Sequence, residues 1–143
     1  MTLTVDEALQ NATLYTDNQL YNIVRLPATA IMAAAGVLAT IGDPFSAVLA
    51  DKDEVTLILP ADLLAEFASR LPDHTVSKSA YRLITFDVEL DMTMVGFMAR
   101  VSTALADAGV SIIPIAAYTR DHILVAEAQF ETAMSTLKQL GSK

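Results

Sequence analysis

Moved along itself by 66 residues, the chain meets its own pattern. Ile58-Leu59 falls on Leu124-Val125; Leu64, Ala68 and Leu71 fall on Phe130, Met134 and Leu137; the apolar stretch 28–41 falls on 94–107. Side-chain identity between the copies is low, so what repeats is the order of apolar and turn residues. Each copy reads strand, helix, strand, turn, strand, helix. A chain of 143 residues leaves each copy about half that length. A unit so small has a marginal core, which predicts that the two copies share one core.

The elements of each copy are marked by their periodicity. Phe97, Val101, Ala104, Leu105 and Ala108 recur at helical spacing, with Gly109 placed to end the helix and Asp91 or Thr93 placed to cap its start. Phe130, Met134, Leu137 and Leu140 form a second stripe, closed by Gly141. Leu63, Leu64, Phe67 and Leu71 form a third, opening at Pro60, where a missing N–H does no harm. Short apolar runs bounded by turn residues predict strands over 20–26, 45–50, 55–59, 81–90, 111–117 and 122–125. Pro72 stops the third helix, and the joint there divides the chain into repeats 1–73 and 74–143. The expected class is α+β: two ferredoxin-like βαββα(β) repeats, each an antiparallel sheet with its helices on one face.

Composition narrows the function. Hydrophobic residues make up 53% and charged residues 18%, the reverse of a disordered chain. Without cysteine there is no disulfide framework, zinc-finger ligand set, iron–sulfur cluster or thiol catalysis. A net charge of −8 argues against nucleic acid and against anionic membrane surfaces, both of which attract cations. The longest apolar run, 28–41, falls short of the roughly 20 residues of a spanning helix. The first residues are acidic, without the basic start of a signal peptide, so a cytoplasmic location is expected. A mean hydropathy of +0.43 implies more apolar surface than a small domain hides, and an oligomer is expected, a homodimer being its simplest form.

Two segments can carry chemistry. The turn 90–96 leads from a strand into a helix, whose first N–H groups are unsatisfied and lie at the positive end of the dipole. Such a place seats a carboxylate or phosphate, and Gly96 permits close approach. The plainer reading is a capped helix with a glycine for packing. In the segment 117–125, Asp121 sits at a hairpin, where it either holds a cationic ligand group or serves as an ordinary turn aspartate. His74 and His122 are the only histidines and make no metal set with the residues around them, so no metal is expected. A pairing of His122 with Ser102 or Ser111 has no motif behind it. Phosphate loops and nucleophile elbows are absent, so neither a cofactor nor an enzymatic activity is expected. Met94, Met98 and Met134 read as core filler.

The segment 90–97, Leu-Asp-Met-Thr-Met-Val-Gly-Phe, resembles the strand–loop–helix signature of ACT domains. The segment 104–112, Ala-Leu-Ala-Asp-Ala-Gly-Val-Ser-Ile, is similar to the family's passage into its second strand. Tyr118-x-x-Asp121-His122-Ile123-Leu124-Val125 resembles a hairpin of the small tandem ACT proteins, a group that includes the eukaryotic cytosolic arginine sensors. In the first repeat, 21–27 and 53–60 resemble the corresponding strands. The sequence departs from the family in lacking proline in the first loop, in the longer spacing from Asp91 to Gly96, and in having His122 where tyrosine is common. Arg120 puts a cation beside Asp121, where it can neutralise it.

The resemblance implies a non-catalytic regulatory protein that binds an amino acid or similar small ligand between ACT units. It implies a site lined by Asp91, Thr93, Met94, Val95, Gly96, Ser111 and Ile112, with Asp121 facing the ligand side chain. The alternative is an interaction module that regulates a partner enzyme and binds no ligand.

Overall fold

In the computed structural model, residues 3–42 and 44–143 are described. Helix α1 (Val5–Asn11) and strand β1 (Thr13–Tyr15) come first, then β2 (Tyr21–Pro27). A 3-10 turn (Ala28–Ala30) leads into α2 (Ile31–Thr40), followed by β3 (Ala47–Ala50), β4 (Glu54–Pro60), α3 (Ala61–Phe67) and β5 (Thr75–Val76). The second half runs β6 (Tyr81–Asp87), α4 (Phe97–Asp107), β7 (Ile112–Ala116), β8 (Asp121–Ala126) and α5 (Phe130–Leu140). All six expected strands and all four expected helices form. The sequence reading did not include α1, β1 or β5.

The chain divides by packing into a continuous unit, Gln19–Tyr81, and a split unit, Met1–Asn18 with Arg82–Lys143. This division differs from the sequence boundary at 73/74 in two respects: the joint falls after Tyr81, so that β5 belongs to the first unit, and the N-terminal segment packs with the second repeat. In the continuous unit the strand order is β5-β2-β4-β3. In the split unit it is β1-β6-β8-β7. These are the same order, with the fourth strand at one edge. In the continuous unit that strand follows α3 along the chain. In the split unit it is β1, which pairs antiparallel with β6 from Thr13↔Asp87 to Tyr15↔Thr85. Both units are therefore ferredoxin-like α+β folds, and the split unit is closed by residues from the other end of the sequence.

Local signals explain the N-terminal segment. Thr4 accepts from the Glu7 N–H at 3.1 Å and Glu7 accepts from the Thr4 N–H at 3.4 Å, a capping box that starts α1. Ala8, Leu9, Ala12 and Leu14 are buried in one cluster with Ile84, Phe86, Phe97, Val101 and Leu105. The two ends of the chain are tied: the Lys143 N–H donates to the Ala12 carbonyl at 3.0 Å, and the Leu14 N–H to the Lys143 carbonyl at 2.7 Å.

The expectation of one shared core is corrected. The continuous unit has its own cluster, built from Val24, Leu26, Ala34, Val37, Val55, Leu57, Leu59 and Phe67. Alternation along β2 and β4 turns one set of side chains to the helices; in the continuous unit α2 and α3 pack on that face, and in the split unit α1 joins α4 and α5 in the core. Met94, Met98 and Met134 are partly buried against the split unit's core, as filler. Gly109 ends α4 at φ +77°, with the Val110 N–H bonded back to the Leu105 carbonyl at 2.9 Å.

One difference between the units positions the candidate site. Between β2 and α2 there are only the residues of the 3-10 turn, 28–30, whereas between β6 and α4 the loop runs from 88 to 96. The 66-residue displacement holds from the helices onward, but β6 stands 60 residues after β2. The six extra residues are all in the loop that the sequence singled out.

Candidate ligand site in the split unit

The loop 88–96 does not follow the expected capping scheme. Neither Asp91 nor Thr93 caps α4; the cap position is Gly96, in the left-handed region at φ +99°, and no side chain caps the helix. The Asp91 carboxylate instead closes its own turn, accepting from the Thr93 N–H at 2.8 Å and the Thr93 hydroxyl at 2.6 Å. The Thr93 hydroxyl, and after it the Thr93 N–H, holds the Asp91 carboxyl below the usual aspartate range. The reason is spacing: two residues suit an Asx turn, and the helix starts too far along for Asp91 to reach it. The first-turn N–H groups of α4 are therefore left without a side-chain cap.

Above this helix end, the loop meets the turn between β7 and β8. The Leu90 N–H donates to the Thr119 carbonyl at 2.7 Å, and the Ala117 N–H to the Arg120 carbonyl at 2.9 Å. Loop, helix end and turn enclose a half-open cavity of about 270 Å³. Asp91, Met94, Gly96 and Asp121 line it, as does Phe97 at its floor. Tyr118, Arg120 and Met98 also line it; the sequence reading quoted Tyr118 in its hairpin motif without assigning it to the site.

The other expected site residues lie elsewhere. The Thr93 side chain is taken up by Asp91. Val95 points into solvent at 87% exposure and does not line the cavity. Ile112 pairs with Val125 while Asp121 pairs with Ala116, so Ile112 is at the far end of β7, roughly 13 Å away at strand rise. Ser111 precedes it, its N–H bonded to the Gln129 side chain at 3.2 Å.

Arg120 is also placed differently from expectation. It pairs with Asp87 at 2.8 Å and bonds the Thr119 hydroxyl at 3.0 Å, leaving Asp121 without its guanidinium. Burial pushes the Asp121 carboxyl up, and the neighbouring His122 only partly opposes it. His122 is itself pushed down by burial, against the pull of Asp121. Its Nδ1 bonds Thr85 Oγ1 at 2.7 Å, rather than a serine, and neither of these two residues lines the cavity. Among the described residues no group of three or more His, Asp or Glu is placed to hold a metal ion.

The signs give a prediction. A carboxyl whose folded pKa is raised favours the fold most below its ordinary 3.8 and loses that contribution as pH rises through the folded value. At neutral pH, the half-buried Asp121 carboxylate is a cost. The Asp121→Asn protein is therefore expected to melt higher than the parent at neutral pH, with the gap closing under acid conditions. His122, with its pKa lowered, favours the fold above 6.5 and loses this contribution as pH falls. Melting curves of the parent and Asp121→Asn across pH check both signs; a neutral-pH gain that persists unchanged in acid would contradict the assignment.

Residues 76–139 match the ACT domain. The ACT match covers the three motifs of the second repeat and the whole cavity, from Leu90 to Asp121. Among solved structures, a protein of Agobacterium tumefaciens is 25% identical, with 92% of this chain and 90% of that one covered at a TM-score of 0.72. A Vibrio cholerae protein of unknown function, described as a possible transport protein, is 23% identical over 94% and 93%, at 0.68. The regulatory subunit of aspartate kinase from Thermus flavus is 12% identical over 90% and 96%, at 0.67. These likenesses span both repeats and show the fold. No curated protein matches the sequence. Among the described residues, no helix is long and apolar enough to cross a membrane.

Proposed function

We propose that this chain is a non-catalytic regulatory protein of the ACT type that binds an amino acid, or a similar small zwitterion, in the cavity of the split unit. The observation that carries this reading is the pairing of opposite electrostatics across one small space. An uncapped helix end offers N–H donors and positive dipole on one side. On the other side a half-buried carboxylate, Asp121, is without the cation that its neighbour Arg120 gives to Asp87. A carboxylate fits the first and an ammonium or other cationic group the second. The fold shared with a regulatory subunit of aspartate kinase supports a regulatory role. Among the described residues the continuous unit has no counterpart to the loop 88–96, so the site is placed in the split unit. The working protein is a homodimer in the cytoplasm.

The test is a thermal-shift screen of the full chain against the twenty amino acids. A ligand at 100 times its dissociation constant adds about 2.7 kcal/mol, which for a protein of this size is several degrees. One amino acid is expected to raise the melting temperature by that much. Asp121→Asn and Asp91→Ala are each expected to remove most of the shift while remaining folded. Asp91→Ala acts by releasing the Asx turn that shapes the loop.

A second reading has one observation behind it. Met92 and Tyr118, at 74% and 80% exposure, stand at the cavity with Val95 in the same loop, an apolar rim suited to a partner enzyme. No shift with any amino acid would favour that interaction module.

A further inference from the structure

A site selects its ligand by the groups it leaves unmatched. In the cavity of the split unit most polar groups are already taken. The Asp91 carboxylate is closed on the Thr93 N–H and hydroxyl. Arg120 is held by Asp87 and by the Thr119 hydroxyl, at 2.8 and 3.0 Å. The carbonyls of Asp91, Gly96, Thr119 and Arg120 accept from the N–H groups of Met94, Arg100, Leu90 and Ala117. Among the described residues, Asp121 is the one charged side chain of the lining that forms neither a side-chain hydrogen bond nor an ion pair.

The rest of the lining is mainly apolar. Leu90 and Phe97 are buried, Met94 and Met98 are partly buried against the same core, and Ala116 and the Tyr118 ring are exposed. Two methionines among them make the surface adaptable in shape. At about 270 Å³ the cavity lies just below the usual range of ligand sites, about 300–1,000 Å³, and so has room for a molecule of amino-acid size.

We infer that the ligand is an amino acid with an uncharged, apolar side chain of leucine or methionine size, its α-ammonium on Asp121 and its side chain against Met94, Phe97 and Met98. The inference rests on the reading of this cavity as an amino-acid site and narrows it. One unmatched carboxylate suits one cationic group. Lysine and arginine bring two, and whichever met Asp121 would leave the other among methionines, where an unpaired charge is costly to bury. Aspartate and glutamate bring a second carboxylate to a lining whose guanidinium is already engaged. An aliphatic or thioether side chain leaves no polar group unmatched and takes apolar surface out of water on both sides. Asp121 is thereby assigned to the backbone end of the ligand rather than to its side chain, and Met94 and Met98 set the specificity.

Isothermal titration calorimetry on the full chain tests the class. Leucine, isoleucine and methionine are expected to bind about a hundredfold more tightly than lysine, arginine, aspartate or glutamate. Along the straight series alanine, α-aminobutyrate, norvaline and norleucine, affinity is expected to rise about fourfold per methylene. Isocaproate, which is leucine without its ammonium, is expected not to bind. Ala116→Leu fills part of the cavity from an exposed position and is expected to weaken leucine about tenfold. A charged or hydroxyl amino acid as the tightest ligand overturns the apolar class and leaves the amino-acid site standing; so does a flat methylene series. Leucine binding unaltered in the folded Ala116→Leu protein overturns the placement of the side chain. No binding by any of the twenty amino acids overturns the site and the inference together.

Discussion

A chain that begins at Asp17 is expected to lose the split unit. The first sixteen residues supply that unit's fourth strand and four members of its core, Ala8, Leu9, Ala12 and Leu14, none more than 8% exposed. Burying the two leucines alone is worth about 3–6 kcal/mol, comparable with the whole stability of a small domain, about 5–15 kcal/mol. Truncation would also strip the partners from the C-terminal backbone, since Lys143 bonds Ala12 and Leu14, and the Ser142 hydroxyl bonds the Leu9 carbonyl at 3.0 Å. Hydrogen exchange reads the result element by element. Amides of α4, β8 and α5 are expected to lose protection while those of β2, β4 and α2 keep it. Full protection of α4 and α5 in the truncated chain would show that β1 is an accessory rather than the closing strand.

Gly96→Val is expected to damage stability and binding together. There is room for the side chain: the nearest atom to an added Cβ is Val5 Cγ2, at 3.9 Å. The penalty is in the backbone. Gly96 sits at φ +99°, which a β-branched residue scarcely adopts. Such strain costs about 1–3 kcal/mol, a fall of roughly 3–10 °C in melting temperature for a protein of this size. To escape it the loop must move, and with it Asp91 and Met94 at the cavity wall and the start of α4. The amino-acid-dependent shift is therefore expected to vanish even at temperatures where the variant is folded. An unchanged melting temperature would refute the strain. A lowered melting temperature with the ligand response intact would place the site away from this loop.

How much of this was legible in the sequence depends on the range of the interaction concerned. The stripes Phe97-Val101-Leu105 and Phe130-Leu137 showed which faces of α4 and α5 would be buried, because side chains four apart share a helix face whatever lies opposite. Gly109 and Gly141 marked helix ends for a similarly local reason, both standing at positive φ. The capping box at Thr4 and Glu7 was equally readable. The strand it leads to was not: three residues are too few for alternation to show, and the partner that makes β1 a strand is seventy or more residues away.

The candidate site divides along the same line. The sequence by itself determined that a long, glycine-ended loop precedes a helix and that an aspartate stands at a hairpin. Only the tertiary structure decided that Asp91, Met94, Gly96 and Asp121 share one cavity while Ser111 and Ile112 sit at the other end of β7. It also decided that Arg120 goes to Asp87, 33 residues earlier, and not to the aspartate beside it. Arg120 is the last residue of the turn before β8, and although it lines the same cavity as Asp121, its guanidinium bonds Asp87 at 2.8 Å and the Thr119 hydroxyl at 3.0 Å, so packing across the chain rather than adjacency in sequence chooses its partner.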